Sequence, residues 1–425
     1  MTGQDAVPAP TASRHLNGWS GGRRERPAGR SSASGAGASY AQGMVDLGHA
    51  ALGAWSGGRF MHYGQELSED ELVELLRPEG RLRTIVTADV YGTGEADRLV
   101  ARAIEGEKRA DVRIVGAVGH DFVDGERRGA KGFPRFTDPA LRGEDGYADY
   151  LRRATEASLA RCATDRFDLL LLHNPDRIGY TSEVVWDAMQ ALKDDGLARA
   201  IGIAPGPANG FTLDVLACLE RFGDRIDWAM VILGPLEPWP GRLVLEACEQ
   251  HEVQVLTRVV DYGGIFWGDL RADTPMGDRD HRRYRPDGWV QRGLGIVDQV
   301  AAIGKARGLT PMQTAAQWAL AQPAVSCVVP TLIQELPGSL DVAPKPIGGK
   351  KLELAALPPE IRLAPTEIER ITHLGDNSGS MALKGASPVF EGEEQPDAWA
   401  IGTPELQAAR RWGIDPDQQL VKTTA

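Results

Sequence analysis

The chain has 425 residues, and 47 Lys and Arg against 59 Asp and Glu give a formal net charge of −12, which argues against nucleic acid as a general partner. Hydrophobic residues at 42% and charged residues at 25% are those of a chain that buries a core, enough for one large domain or two ordinary ones. Cys162, Cys218, Cys248 and Cys327 lie far apart with no C-x-x-C or C-x-x-H spacing, so zinc sites and redox pairs are excluded and the cysteines read as small buried hydrophobes.

Residues 1–43 scatter a few apolar side chains among Ser, Ala, Gly, Pro and Arg and read as a disordered tail. Neither there nor later does the chain show a signal-peptide core or about 18 uncharged apolar residues in succession, so a cytoplasmic protein with no membrane partner is expected. From residue 44, short β-branched runs alternate with segments of helical period. Strands are expected over 47–54, 83–88, 112–118, 168–173, 198–204, 226–233, 253–260 and 325–330. Helices are expected over 69–76, 95–104, 147–162, 182–194, 212–222, 242–251, 290–307 and 312–321. Start signals accompany several of them: Ser68 three residues before Glu71, Ser182 before an apolar-periodic stretch, and Thr310 before Pro311.

Apolar strands such as Leu169, Leu170, Leu171 and Leu172 are those of a parallel sheet covered by helices. Eight such units in series predict an α/β fold of the closed (β/α)8 TIM-barrel kind rather than a doubly wound open sheet, and no G-x-G-x-x-G opens a helix after the first strand. The insertion with Lys345, Lys350 and Lys351, after Pro330 to Glu335, reads either as cations for a phosphate or as a solvated loop. Residues 376–425, rich in Gly and Pro with one short helix near 405–412, read as a C-terminal extension in which Trp399, Trp412 and Ile414 pack on the barrel as lid or strap.

In such a barrel the active site lies at the carboxyl ends of the strands. There the second strand ends in Thr87-Ala88-Asp89-Val90-Tyr91-Gly92 and the fourth in His173-Asn174-Pro175. A tyrosine gives its proton to a carbonyl oxygen and a histidine orients that carbonyl, so Tyr91 and His173 are the candidate catalytic pair. Strand seven ends in Arg258-Val259-Val260-Asp261-Tyr262-Gly263-Gly264, a charge, a phenol and close backbone approach at one mouth.

The order of motifs resembles that of the aldo/keto reductase family: Leu52-Gly53-Ala54-Trp55 near the start, Thr87 to Gly92, Asp165-Arg166-Phe167-Asp168 through His173, Gly196 to Gly202, and Val325 to Pro330. The resemblance covers residues 45–375 and implies an NADP-dependent (or NAD-dependent) oxidoreductase acting on a small-molecule carbonyl substrate. By position, Tyr91 is its acid and His173 the partner. Cofactor contacts are expected from Arg258, Pro330, Thr331 and Gln334, and a substrate pocket from Trp55, His120, Asp261 and Tyr262, the strand-seven residues among them having no counterpart in the family's motifs.

Two departures stand out. The family's Asp, five residues before the tyrosine, is Val86 here, and its Lys at the end of strand three is Ala117; Arg258 and His120 are the candidate replacement cations. The Ser-Asn pair that holds the nicotinamide carboxamide is Ala204-Pro205, whose side chains make no such bonds. The departures leave two alternatives: a non-redox isomerase or lyase using Tyr91, His173 and Asp261, or an inactive ligand-binding protein of the same fold.

Overall fold

The computed structural model describes residues 45–129, 132–338 and 343–421. The tail expected over 1–43 lies outside the described residues. In chain order the elements are β1 (Leu52–Gly53), α1 (Glu69–Leu76), β2 (Thr84–Val86), α2 (Glu95–Ala103), β3 (Arg113–Val118), α3 (Tyr147–Arg161), β4 (Leu169–His173), α4 (Arg177–Thr181), α5 (Glu183–Asp194) and β5 (Ile201–Ala204). There follow α6 (Thr212–Phe222), β6 (Trp228–Ile232), α7 (Leu245–Gln250), β7 (Gln254–Arg258), α8 (Trp289–Lys305), α9 (Pro311–Leu320) and β8 (Val325–Val329). Beyond the barrel come α10 (Ile347–Ala355), α11 (Pro365–Leu374), β9 (Gly385–Ser387), β10 (Ala398–Ala400), α12 (Thr403–Trp412) and α13 (Pro416–Gln419).

Strands β1 to β8 pair in parallel in sequence order, and the ring closes where Ala51 N donates to Val328 O at 2.9 Å and Val328 N to His49 O at 3.0 Å. This is the expected (β/α)8 barrel, closed without an edge. The strand period of two divides the four-leucine run between two cores: Leu169 and Leu171 join Val115, Trp228, Leu256 and Cys327 inside the cylinder, whereas Leu170 and Leu172 face the helices. All four cysteines are buried and free.

The sequence signals for helix starts are realised as hydrogen bonds. Ser68 with Glu71 and Thr310 with Gln313 form reciprocal capping boxes, and Ser182 accepts from Val185 N. One expectation is corrected. The lysine-bearing insertion is not a solvated loop throughout, because α10 forms there and Lys350 is fully buried, its Nζ 2.7 Å from an Asp269 carboxylate oxygen and donating to Ile333 O at 2.6 Å. Gly348 and Gly349 in its first turn hide that helix from a propensity reading. The expected helix over 242–251 begins as a 3-10 turn at Gly241–Val244 before α7.

The extension packs on the barrel mainly through α6. Trp399 is fully buried between the rings of Tyr180 and Phe211, and its Nε1 donates to Asp214 Oδ1 at 2.9 Å; the other Asp214 oxygen accepts from Ala386 N at 3.0 Å. Lys384 exchanges backbone bonds with Asn209 and Phe211 beside Gly210, whose φ is 115° and where a Cβ would lie 2.0 Å from Lys384 O. Only glycine admits that approach.

If the extension shares the barrel's core, Trp399→Ala lowers the unfolding free energy by about 3–5 kcal/mol, the usual cost of emptying a buried indole site. Urea denaturation reads this directly, and a loss below about 1 kcal/mol would place the extension outside the cooperative unit.

Candidate active site

The carboxyl ends of the strands bring Tyr91 and His173 together. Tyr91 begins a 3-10 turn that Gly92 and Gly94 close with φ of 59° and 91°, turning the chain off β2 toward α2. His173 is the last residue of β4, and Asn174 after it takes φ 45°, a left-handed value that Asn tolerates better than most residues. The two rings meet edge to face with centroids 5.8 Å apart. Phe60 stacks on Tyr91 and Trp55 meets it edge-on, each at 6.3 Å.

Both line a crevice of about 50 Å³ that also contains Trp55, Tyr63, Asn174 and Arg258, and it is walled by Val86, Ala117 and Ala204. A second crevice of about 50 Å³, reached past Tyr63, Arg258 and Thr331, continues to Asn209, Asp261 and Ile333. A third of about 20 Å³ lies behind the loop after β5. Arg258 lines all three.

Apolar surroundings set the protonation states. Burial pushes the Tyr91 phenol up to about 12, against which the Arg258 charge pulls down. Burial, with the Arg135 and Arg258 charges, lowers His173 to about 3, so it is a neutral imidazole at any working pH, and its buried Nδ1 has no hydrogen-bond partner among the described residues.

The other expected residues divide by position. Trp55 lies on the first crevice and Thr331 on both, linked by a Trp55 Nε1 to Thr331 Oγ1 bond of 3.1 Å. Asp261 lies on the second, but its Oδ1 accepts from Thr331 N at 2.8 Å and its Oδ2 from Gly264 N at 2.9 Å, so it braces two loops. His120 stands behind His173, ring centroids 5.1 Å apart; Asn174 Nδ2 lies 3.1 Å from its Nε2, and its Nδ1 is 3.2 Å from Phe133 O. Tyr262 is buried under Arg285 and Trp289. Pro330 follows β8, and Gln334 spends its Oε1 on Ile347 N at the start of α10. Two residues were not foreseen: Tyr63, from a loop without periodicity, and Arg135, which donates to Asn174 O and pairs with Asp397 of the extension at 2.7 Å. Neither has a motif that would have announced it. Asn174, directly after the catalytic histidine candidate, was readable as a strand-end polar group.

Arg258 ends β7 and differs from the cations around it. Its Nη2 donates to Pro205 O at 2.9 Å and to Gly206 O, and its buried Nε has no partner. Pro205 and Pro207 bring no N–H of their own, so this loop offers carbonyl oxygens. Val259, next in the chain, sits at φ 62°, a strained value for a β-branched residue of the sort that persists at functional sites.

Among the described residues, no group of three or more His, Cys, Asp or Glu side chains could hold a metal ion, and no helix is long and apolar enough to cross a membrane.

Comparison with curated proteins finds 6-dehydroglucose reductase of Novosphingobium aromaticivorans, 24% identical over 292 residues, covering 65% of this chain and 82% of that one. It also finds the uncharacterised oxidoreductase YqkF of Bacillus subtilis, 26% identical over 265 residues, covering 61% and 75%. Among solved structures, the glycerol dehydrogenase of Gluconobacter oxydans superposes with TM-score 0.57 at 21% identity, covering 76% of this chain and 90% of that one; likeness at this level concerns the fold. The aldo/keto reductase family model matches residues 51–341, more than half of the chain, and with the barrel closed around that same span the chain belongs to the aldo/keto reductase family.

Proposed function

We propose that this chain is an NAD(P)H-dependent oxidoreductase that reduces a carbonyl group, with Tyr91 as proton donor and His173 as the group that aligns the carbonyl oxygen. The observation that carries it is the edge-to-face contact of the two rings at 5.8 Å on one small crevice at the strand ends. The reductase and dehydrogenase names of its relatives agree with that reaction class.

A bound nicotinamide supplies the hydride in such a reaction. The residues present fit its reactive end: the second crevice continues the first, and Thr331, Val259 and Asn209 are the side chains along which it would lie. At the stretch expected to meet phosphates the groups are already engaged. Thr331 N serves Asp261, Leu332 N donates to Ser56 Oγ at 3.1 Å, Lys350 is paired with Asp269, and Arg282 with Asp280 and Glu335. At that stretch none of these backbone N–H groups, lysines or arginines is left free for a phosphate among the described residues.

For the protein's own part, a phenol held up to about 12 stays protonated through the neutral range, and it donates to the carbonyl oxygen as charge develops there. The neutral His173 directs the oxygen toward it. Val86 and Ala117, standing where the family has a charged pair, keep the crevice apolar and leave the phenol an acid. In the reverse direction an alcohol must give its proton to a phenolate, which is scarce below pH 10.

Tyr91→Phe is expected to lower kcat for NADPH-dependent reduction of a carbonyl panel by about 10²–10⁴-fold, the range of a lost general acid. An unchanged rate would remove the assignment. The pH profiles follow from the two shifted groups: His173 at about 3 and Tyr91 at about 12 contribute no change in reduction between pH 5 and 9, where only Asp261 on the second crevice, raised to about 6 by burial, changes charge, while alcohol oxidation climbs about tenfold per pH unit above neutrality. A bell centred near pH 7 for either direction would contradict it.

A further inference from the structure

Around the barrel mouth the buried cations are neutralised within the chain. Arg135 meets Asp397 at 2.7 Å, Arg282 meets Glu335 at 2.7 Å, Arg285 meets Glu237 at 3.3 Å, and Lys350 meets Asp269 at 2.7 Å. Arg258 is the exception. No carboxylate of the described residues lies within 4.0 Å of it, two backbone carbonyls hold one of its terminal nitrogens, and its Nε is buried with no partner. Arg258 is half-buried, with its Nε sealed from solvent, and withdrawing a guanidinium from water without a counter-ion is unfavourable. Here it persists on the wall of the crevice that also holds Tyr91 and His173, next to a backbone residue at φ 62°.

We propose that the Arg258 guanidinium is the receptor for a carboxylate on the substrate, so that the compound reduced at Tyr91 is a small oxo acid. The inference rests on the oxidoreductase reading for its reaction and on the unpaired cation for its substrate class. A planar guanidinium matches a carboxylate in geometry as well as charge. Arg258 lines the same crevice as Tyr91 and His173, so a carboxylate held on it belongs to a compound in which acid and carbonyl stand close together, as in a 2-oxo acid. The apolar walls at Val86, Ala117, Ala204 and Met230 strengthen a charged contact made beside them. Binding the acid at Arg258 fixes which face and which oxygen of the carbonyl meets Tyr91 and His173.

The test uses the full-length protein without cofactor. Trp55 lines the crevice, so its fluorescence reports occupancy. Pyruvate should quench it saturably and bind about tenfold or more tightly than methyl pyruvate, its uncharged ester, a gap of the size a charge-assisted hydrogen bond gives. In Arg258→Met that preference is lost, and in Arg258→Lys part of it returns. Because the methionine removes both the charge and the donor to Pro205 O and Gly206 O, Tm is recorded beside binding, and a fall in Tm with the preference for acid over ester intact marks a guanidinium that only braces the loop after β5 and overturns the proposal. Equal binding of acid and ester by the wild-type protein overturns the proposal without recourse to any variant. So does an NADPH titration weakened in Arg258→Met while pyruvate binding is untouched, which would give the guanidinium to the cofactor. The two readings separate cleanly: pyruvate bound but never reduced leaves the anion site and removes the redox assignment, whereas acid and ester reduced equally well by wild type and Arg258→Met leave the redox assignment and remove the site.

Discussion

A half-buried positive charge with no carboxylate of the described residues within 4.0 Å is the constraint around which the mouth of this barrel is organised. Arg258 lines a crevice walled in part by Val86, Ala117 and Ala204, and among the described residues its hydrogen bonds go only to carbonyls of a proline-rich loop. Those carbonyls belong to the segment Ala204-Pro205-Gly206-Pro207, where the resemblance leads one to expect side-chain amide and hydroxyl groups. The loop after β5 and the end of β7 are therefore one arrangement: the loop has no side-chain donors at Ala204 and Pro205 and presents acceptors, and β7 supplies the donor that meets them.

The same logic covers Val86 and Ala117. An isolated carboxylate or ammonium left at either place would cost several kcal/mol in this environment, whereas apolar residues at both remove two desolvation penalties together. Their loss also changes what Tyr91 is. With Arg258 as the cation acting on it and burial dominating, the phenol is a proton donor with little capacity to act as a base. The proposed enzyme is thus biased toward reduction by the chemistry of its walls, and the strap formed by the extension holds Arg135, Asn174 and His120 behind His173 so that the imidazole keeps its place.

Much of this could be read from the chain. Alternation of period two and period 3.6, with capping boxes at Ser68 and Thr310, is enforced by local sterics and burial, so strands and barrel helices were legible to within a few residues. Tyr91 and His173 were legible because strand ends in a parallel barrel are where polar side chains emerge. What could not be read depends on contacts between distant segments. Lys350 reads as a solvent-facing lysine until Asp269, 81 residues away, is folded against it. Gly210 reads as an ordinary turn glycine until Lys384 arrives beside it. The solitude of Arg258 is a statement about every carboxylate among the described residues at once, and no local pattern carries it.

A crystal structure of the protein with oxamate, a non-reducible mimic of a 2-oxo acid, tests the assigned geometry most directly. Density is expected in the first crevice with the carboxylate on the Arg258 guanidinium and the amide oxygen in hydrogen-bond reach of the Tyr91 hydroxyl and the His173 ring. Oxamate bound elsewhere, or Arg258 swung onto a carboxylate of the chain itself, would contradict it.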